Sequence, residues 1–259
     1  MAAVQIAISV YRQHEDYLRQ CIKSALGQTF PDLAIAVRTD GPSACSDSAL
    51  KWIRRKVLKD PRLTLVEGVK RIGIYGSYNS LFRQSSTPYL LQLDADDYLD
   101  AFAVEMLMSE LDSNSAAVMS FGDCLEVAPN GRPLRIRNNS ARACSMNLLN
   151  HFFCFHPRLV RRSSYNLVGG YSEDYRLASD YDLCLKLDEI GDIRYVHVPL
   201  GFHRVHPHSA SMLGYEELNL ESVRAVKSAL VRRGLDDTLE VHHDPSTGEI
   251  TLSHSNVMK

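Results

Sequence analysis

No stretch of this 259-residue chain is apolar for long enough to cross a bilayer, and no charged-then-apolar leader opens it. These absences predict a cytoplasmic protein. Repeats and low-complexity tracts are missing too, and the length suits one large domain with a real core. Charge of one sign is also lacking, because 29 Lys and Arg stand against 31 Asp and Glu. That balance gives no electrostatic signal for nucleic acid or for an anionic membrane. Six cysteines (Cys21, Cys45, Cys124, Cys144, Cys154 and Cys184) are scattered among mostly apolar neighbours without one Cys-x-x-Cys pair. A zinc site or a disulfide framework is therefore not indicated, and they read as buried thiols of a reducing compartment. The last absence is a glycine-rich turn after the first strand. Val10-Tyr11-Arg12-Gln13 has no glycine, which argues against a Rossmann or P-loop phosphate site.

What is present centres on Tyr89 to Asp97, a short apolar run that ends in Asp94, Asp96 and Asp97. So short a run reads as a core strand rather than a buried helix, with the acids at its carboxyl end. In open α/β sheets ligands bind outside those ends, and clustered carboxylates repel one another unless a cation joins them. The plainer reading is that the three acids cap the following helix.

Around this stretch strand and helix alternate. Gln5 to Val10 is a strand with Ile6, Ile8 and Val10 on one face, and Glu15 to Leu26 a helix with Gly27 as a left-handed stop. Leu33 to Thr39 is a strand broken by Asp40-Gly41-Pro42. Ala49 to Leu58 and Ile74 to Phe82 are helices, with a strand over Leu63 to Val66 between them. Such alternation implies right-handed crossovers and a parallel sheet with helices on both faces. A helix over Ala101 to Leu111 and a strand over Ala117 to Phe121 follow. Leu125 to Val127 and Leu134 to Ile136 flank Pro129-Asn130-Gly131 as a hairpin. Ala141 to Pro157 carries no clear pattern. Later come a helix beginning at Ser179-Asp180-Tyr181-Asp182, a strand over Ile193 to Leu200 and a helix over Glu217 to Arg233. Three histidines (His203, His206, His208) lie between the last two, and a possible hairpin around Asp244 to Gly248 closes the chain.

Polar groups thus end three strands on one edge of the sheet: Tyr11 with Arg12, Asp40, and Asp94 with Asp96. This suits a nucleotide diphosphate, because Mg²⁺ or Mn²⁺ is commonly held by one or two carboxylates plus the phosphates themselves. Ser9-Val10-Tyr11, Glu15-Asp16-Tyr17-Leu18, Ser24 to Asp32, Thr39-Asp40-Gly41-Pro42, Leu93 to Asp97, Gly169-Gly170-Tyr171 and Ser179 to Leu183 come in a fixed order. In that order, over roughly residues 4–212, the chain resembles the family 2 glycosyltransferases of the GT-A fold.

The resemblance implies a Rossmann-like, mostly parallel α/β sheet over residues 1–212, with a nucleotide-binding half (1–100), an acceptor half (101–212) and a C-terminal helix and tail (213–259). It implies inverting transfer of a hexosyl or N-acetylhexosaminyl group from a nucleotide-sugar donor, usually a UDP-sugar, to a hydroxyl of a glycan or lipid-linked glycan. Ser9 and Tyr11 would line the base pocket, Asp40 would accept the uracil N3 proton, and Arg71 would touch the base or phosphates. Asp94 would sit near ribose and metal, Asp96 would bind the metal, and His206 would complete its shell. Asp180 would be the general base. Each has a plain counterpart: Asp40 as a turn former, Asp180 as a helix N-cap, His206 as a loop histidine. The chain departs from the family in having Arg12, Thr39 and Ser179 where asparagine and acids are usual.

Two other classes fit the sequence less well. A sugar nucleotidyltransferase would want the missing glycine-rich loop, and a glycan-binding scaffold has no need of Asp40, Asp96 and Asp180. A lipid-linked acceptor would bring the chain to the inner membrane face, where Arg224, Lys227, Arg232 and Arg233 could assist. A solvated helix face explains those charges more simply. The same helix or the tail could support a homodimer.

Overall fold

A computed structural model describes residues 2–137, 148–209, 212 and 214–255. Strand β1 (Val4–Val10) is buried along its whole length and lies between β2 (Leu33–Thr39) and β4 (Tyr89–Asp94), parallel to both. In this register Ser9 stands beside Arg38 on one side and Asp94 on the other. Strand β3 (Leu63–Glu67) closes that edge, again in parallel. Side chains alternate along β1 as its sequence predicts. Ile6 and Ile8 enter a core layer with Leu18 and Ile22 of α1 (Glu15–Leu26), while Ala7 faces the layer holding Tyr78 and Phe82 of α3 (Ile74–Arg83). Small Ala7 leaves room for those rings.

Helices α2 (Asp47–Val57) and α4 (Ala103–Asp112) share the α1 face. Ser46 caps α2, its hydroxyl accepting from the Ala49 N–H at 3.1 Å. Gly27 departs from expectation. Its φ is −90°, so the helix ends without a left-handed residue, and the Gly27 N–H still reaches the Lys23 carbonyl. The three acids after β4 do not cap a helix either. They form a tight turn, the Asp97 N–H donating to the Asp94 carbonyl at 3.1 Å, followed by the short β5 (Tyr98–Leu99), and α4 begins beyond Phe102.

The second half adds β6 (Ala117–Val127), β7 (Pro133–Arg137), β8 (Arg158–Arg161) and β9 (Asp192–Arg204). The sheet runs β3-β2-β1-β4-β8-β6-β9-β5, with β7 forming the expected hairpin on β6. Only β5, β7 and β8 run against the others, so the described sheet is mostly parallel. The two strands expected over Ala117 to Val127 are one, because polar Asp123 is buried and accepts from the Tyr195 hydroxyl. Of the unpatterned stretch Ala141 to Pro157, residues up to 147 lie outside the described ones.

Helices α5 (Arg162–Leu167), α6 (Ser179–Asp188) and α7 (Tyr215–Arg232) cover the α3 face. Helix α7 packs Ala225, Val226, Ala229 and Leu230 into the same core as Leu183 and Leu187 of α6. Its terminal cations are spent on this contact, Arg232 on Glu189 and Arg233 on Asp188, while Arg224 lies over the Tyr175 ring. The tail forms the hairpin β10 (Leu239–Asp244) and β11 (Glu249–His254). No helix among the described residues is long and apolar enough to cross a membrane.

Candidate active site

The fold brings the carboxyl ends of β1, β2, β4 and β9 to one edge. Asp94 is the last residue of β4 and is held on both sides. Its Oδ1 accepts from the Tyr78 hydroxyl at 2.7 Å and the Gln92 amide at 3.0 Å, and its Oδ2 lies 3.7 Å from His156 Nε2. Burial opposes the charged form of Asp94, but His156, Tyr78 and Gln92 more than offset it and set its pKa below the ordinary carboxylate range. Gln92 is oriented in turn by the Tyr171 hydroxyl. This gives the Gly169-Gly170-Tyr171 motif a physical role. Gly170 has φ +70°, and a Cβ there would come within 2.7 Å of the Tyr165 ring. The backbone can therefore deliver Tyr171 beneath the site only with glycine before it.

Asp96 and His206 meet across the edge, His206 Nε2 lying 2.9 Å from Asp96 Oδ2. Their side chains are 15% and 9% exposed, so the pair lies at the surface of the cleft rather than in bulk water. Asp97 points inward. It accepts from the Arg204 N–H at 2.8 Å and faces His203 Nδ1 at 3.1 Å. Burial raises Asp97 to about 6, and Asp97 in turn outweighs burial to raise His203 to about 9, so the two form an ion pair at neutral pH. Arg204, 2% exposed, braces the turn through the Asp96 carbonyl, Gln20 and the Tyr17 ring.

Among the described residues no group of three His, Cys, Asp or Glu is placed to hold a metal ion by itself. Asp96 with His206 is a two-ligand set of oxygen and nitrogen. Such a set fits Mn²⁺ or Mg²⁺ when donor phosphates supply the remaining oxygens, as these ions usually require.

Asp40, 2% exposed, has its oxygens on the Ile72 and Gly73 N–H groups at 2.7 and 3.0 Å. These bonds reach 32 and 33 positions along the chain rather than closing a turn of its own, and they tie the 70–73 loop to the end of β2. In that loop Arg71 lies 4.1 Å over the Tyr11 ring and 4.0 Å from Asp40. Tyr11, Asp40 and Arg71 are thus together beside Ser9, one strand away from Asp94.

Asp180 is not an N-cap. Helix α6 is flanked by Ala178, which makes no side-chain cap bond, and Glu221 of α7 accepts from the Leu177 and Ala178 N–H groups instead. The Asp180 carboxylate accepts from Tyr181 N–H at 2.9 Å and Arg158 Nη2 at 3.1 Å, and it lies 3.2 Å from the Tyr75 hydroxyl, which also reaches the Leu177 carbonyl at 2.7 Å. Arg158 opens β8 and is 3% exposed. The same Nη2 is 2.7 Å from His156 Nε2, so Asp94, His156, Arg158 and Asp180 form a continuous chain across the cleft. Burial and then Arg158 push His156 down to about 4, which makes it a neutral imidazole.

Tyr78, Gln92, His156, Arg158 and Glu221 were not foreseen from the sequence. His156 and Arg158 fall in or beside the unpatterned stretch, and a single arginine ahead of Leu-Val gives no periodic signal. Of the three-histidine cluster the sequence singles out His206 alone, whereas His203 pairs with Asp97.

This architecture is the GT-A fold of glycosyltransferases. Solved structures that share it include S. aureus TarS 1–349 in complex with UDP-GlcNAc, with a TM-score of 0.70 and 16% identity over 89% of this chain and 67% of that one. The mannosyltransferase PcManGT from Pyrobaculum calidifontis, in complex with GDP-Man and Mn²⁺, has a TM-score of 0.63 and 17% identity over 90% of this chain and 64% of that one. The family model for glycosyl transferase family 2 matches residues 5–169, and the chain belongs to that family. Curated relatives include a chondroitin synthase of Escherichia coli, 27% identical over 90% of this chain and 33% of the relative. A hyaluronan synthase of Pasteurella multocida is 28% identical over 85% of this chain and 22% of the relative. The chain thus spans a third or less of the length of these two relatives.

Proposed function

We propose that the chain is an inverting glycosyltransferase that moves a sugar from a UDP-sugar to a hydroxyl of a glycan or glycolipid acceptor. The observation that carries this reading is the Asp96–His206 pair at 2.9 Å just past the end of β4, with Asp180 linked to neighbouring Asp94 through Arg158 and His156. The synthases among the relatives and the UDP-GlcNAc held by a structural neighbour support a UDP-sugar donor.

In this reading Tyr11, Ser9, Asp40 and Arg71 receive the nucleotide. Arg71 is free to leave the Tyr11 ring for a base or phosphate, since its side chain is 61% exposed. Asp96 and His206 hold a divalent ion, with Asp94 beside it. When bound, that ion offsets charge on the departing diphosphate, an effect on the order of several kcal/mol. Asp180 takes the proton of the acceptor hydroxyl as its oxygen attacks the anomeric carbon and the sugar–phosphate bond breaks. A positioned carboxylate of this kind contributes about 10²- to 10⁴-fold.

A screen of UDP-, dTDP- and GDP-sugars for Mn²⁺-dependent hydrolysis and transfer tests this. Turnover of a UDP-sugar, lost in Asp96→Asn and Asp180→Asn with the fold intact, is the expected result. Turnover surviving in both variants would end the reading. Failure of UDP to bind with Mn²⁺ present would point to a scaffold instead.

A further inference from the structure

The two oxygens of Asp180 are flanked unequally. Oδ1 accepts from the Tyr181 N–H at 2.9 Å and lies 3.2 Å from the Tyr75 hydroxyl, whose one proton it shares with the nearer Leu177 carbonyl at 2.7 Å, whereas Oδ2 meets Arg158 Nη2 at 3.1 Å. A carboxylate oxygen accepts about two hydrogen bonds, so the open position lies on Oδ2. The side chain is 16% exposed, which leaves that position a route to the cleft.

Arg158 is fixed far more firmly than its role as an ion-pair partner requires. Its Nη1 donates to the Cys154 carbonyl at 2.7 Å, Nη2 reaches His156, and the guanidinium lies 5.5 Å over the Phe152 ring. At 3% exposure it cannot swing into water. A guanidinium so placed fixes the plane of the carboxylate. The other groups facing Asp180 are Tyr75 from α3 and the first turn of α6, with His156 and Asp94 one contact further away and Glu221 on the α6 amides. Among the described residues Arg158 is the single cation in contact with it.

We infer that Arg158 is a positioning residue for the acceptor step, presenting Asp180 Oδ2 to the incoming hydroxyl. The inference rests on the reading of Asp180 as the base.

Transfer kinetics of the wild type, Arg158→Lys and Arg158→Met, with Mn²⁺ and the UDP-sugar the wild type uses, test it by separating kcat from KM. In Arg158→Met kcat should fall by roughly 10²-fold, as misplacement of a reacting group does, while KM for the UDP-sugar stays near that of the wild type. Arg158→Lys keeps the charge but not the fork, so it should restore only part of that kcat. Should Arg158→Met fail to fold, Arg158→Gln carries the same expectation. A kcat near that of the wild type in the uncharged variant, or a loss carried by KM alone, overturns the role of Arg158 and leaves the proposed function standing. A wild type that turns over no UDP-sugar overturns both.

Discussion

Gly169 and Gly170 offer a controlled comparison, because both adopt positive φ (83° and 70°) yet differ in surroundings. An alanine at either position meets the left-handed penalty of about 1 kcal/mol. At Gly169 nothing lies within 4 Å of the added Cβ. At Gly170 it would come within 2.7 to 2.9 Å of three Tyr165 atoms. That ring cannot yield easily. Tyr165 is 5% exposed, packs edge-on against Phe82 and Tyr171, and donates to Asn79 Oδ1 at 2.5 Å. Overpacking of this kind adds about 1–3 kcal/mol. Gly169→Ala should therefore cost about 1 kcal/mol and Gly170→Ala about 2–4 kcal/mol. In thermal unfolding followed by circular dichroism, the extra ~2 kcal/mol appears as a Tm roughly 4–8 °C lower than that of Gly169→Ala. Equal losses, or a larger one at Gly169, would refute the argument that contact with Tyr165, rather than backbone conformation, makes Gly170 the stricter position.

His206→Ala should weaken Mn²⁺-dependent UDP binding, read by calorimetry, by about 10- to 100-fold, on the scale by which a lost partner weakens a metal site. Asp96→Asn should abolish the metal dependence. Tyr78→Phe removes the 2.7 Å bond to Asp94 and should cost about 1–3 kcal/mol of transition-state stabilisation in kcat/KM if Asp94 must be oriented for the donor. Unchanged kinetics would make that hydroxyl merely structural. Glu221→Gln weakens the acceptor for the Arg176, Leu177 and Ala178 N–H groups and should lower stability by about 0.5–2 kcal/mol in urea unfolding.

The first half of the fold was legible because each element carries its own periodicity. Ile6, Ile8 and Val10 alternate, and Leu18, Cys21, Ile22 and Ala25 recur at helical spacing. The acids were legible because they end those elements. What sequence could not supply is the environment that distant segments make. His206 meets Asp96 across 110 positions, and Arg158 meets Asp180 across 22, in pairings that no local pattern encodes. Strand β6 reads as two pieces in the sequence, Ala117 to Phe121 and Leu125 to Val127, whereas the structure runs it unbroken, with Tyr195 on the neighbouring strand satisfying the intervening Asp123. The misread stop at Gly27 shows the converse limit, since glycine permits a left-handed residue without compelling one.

The boundary that the sequence suggests near residue 212 invites trimming there, yet Glu221 lies past it and grips the backbone just ahead of Asp180. A shortened version would still contain every residue that touches donor in the reading above, while the loop leading to its base would lose its anchor. Any exchange of this domain should therefore carry the helix over Tyr215–Arg232 along with it.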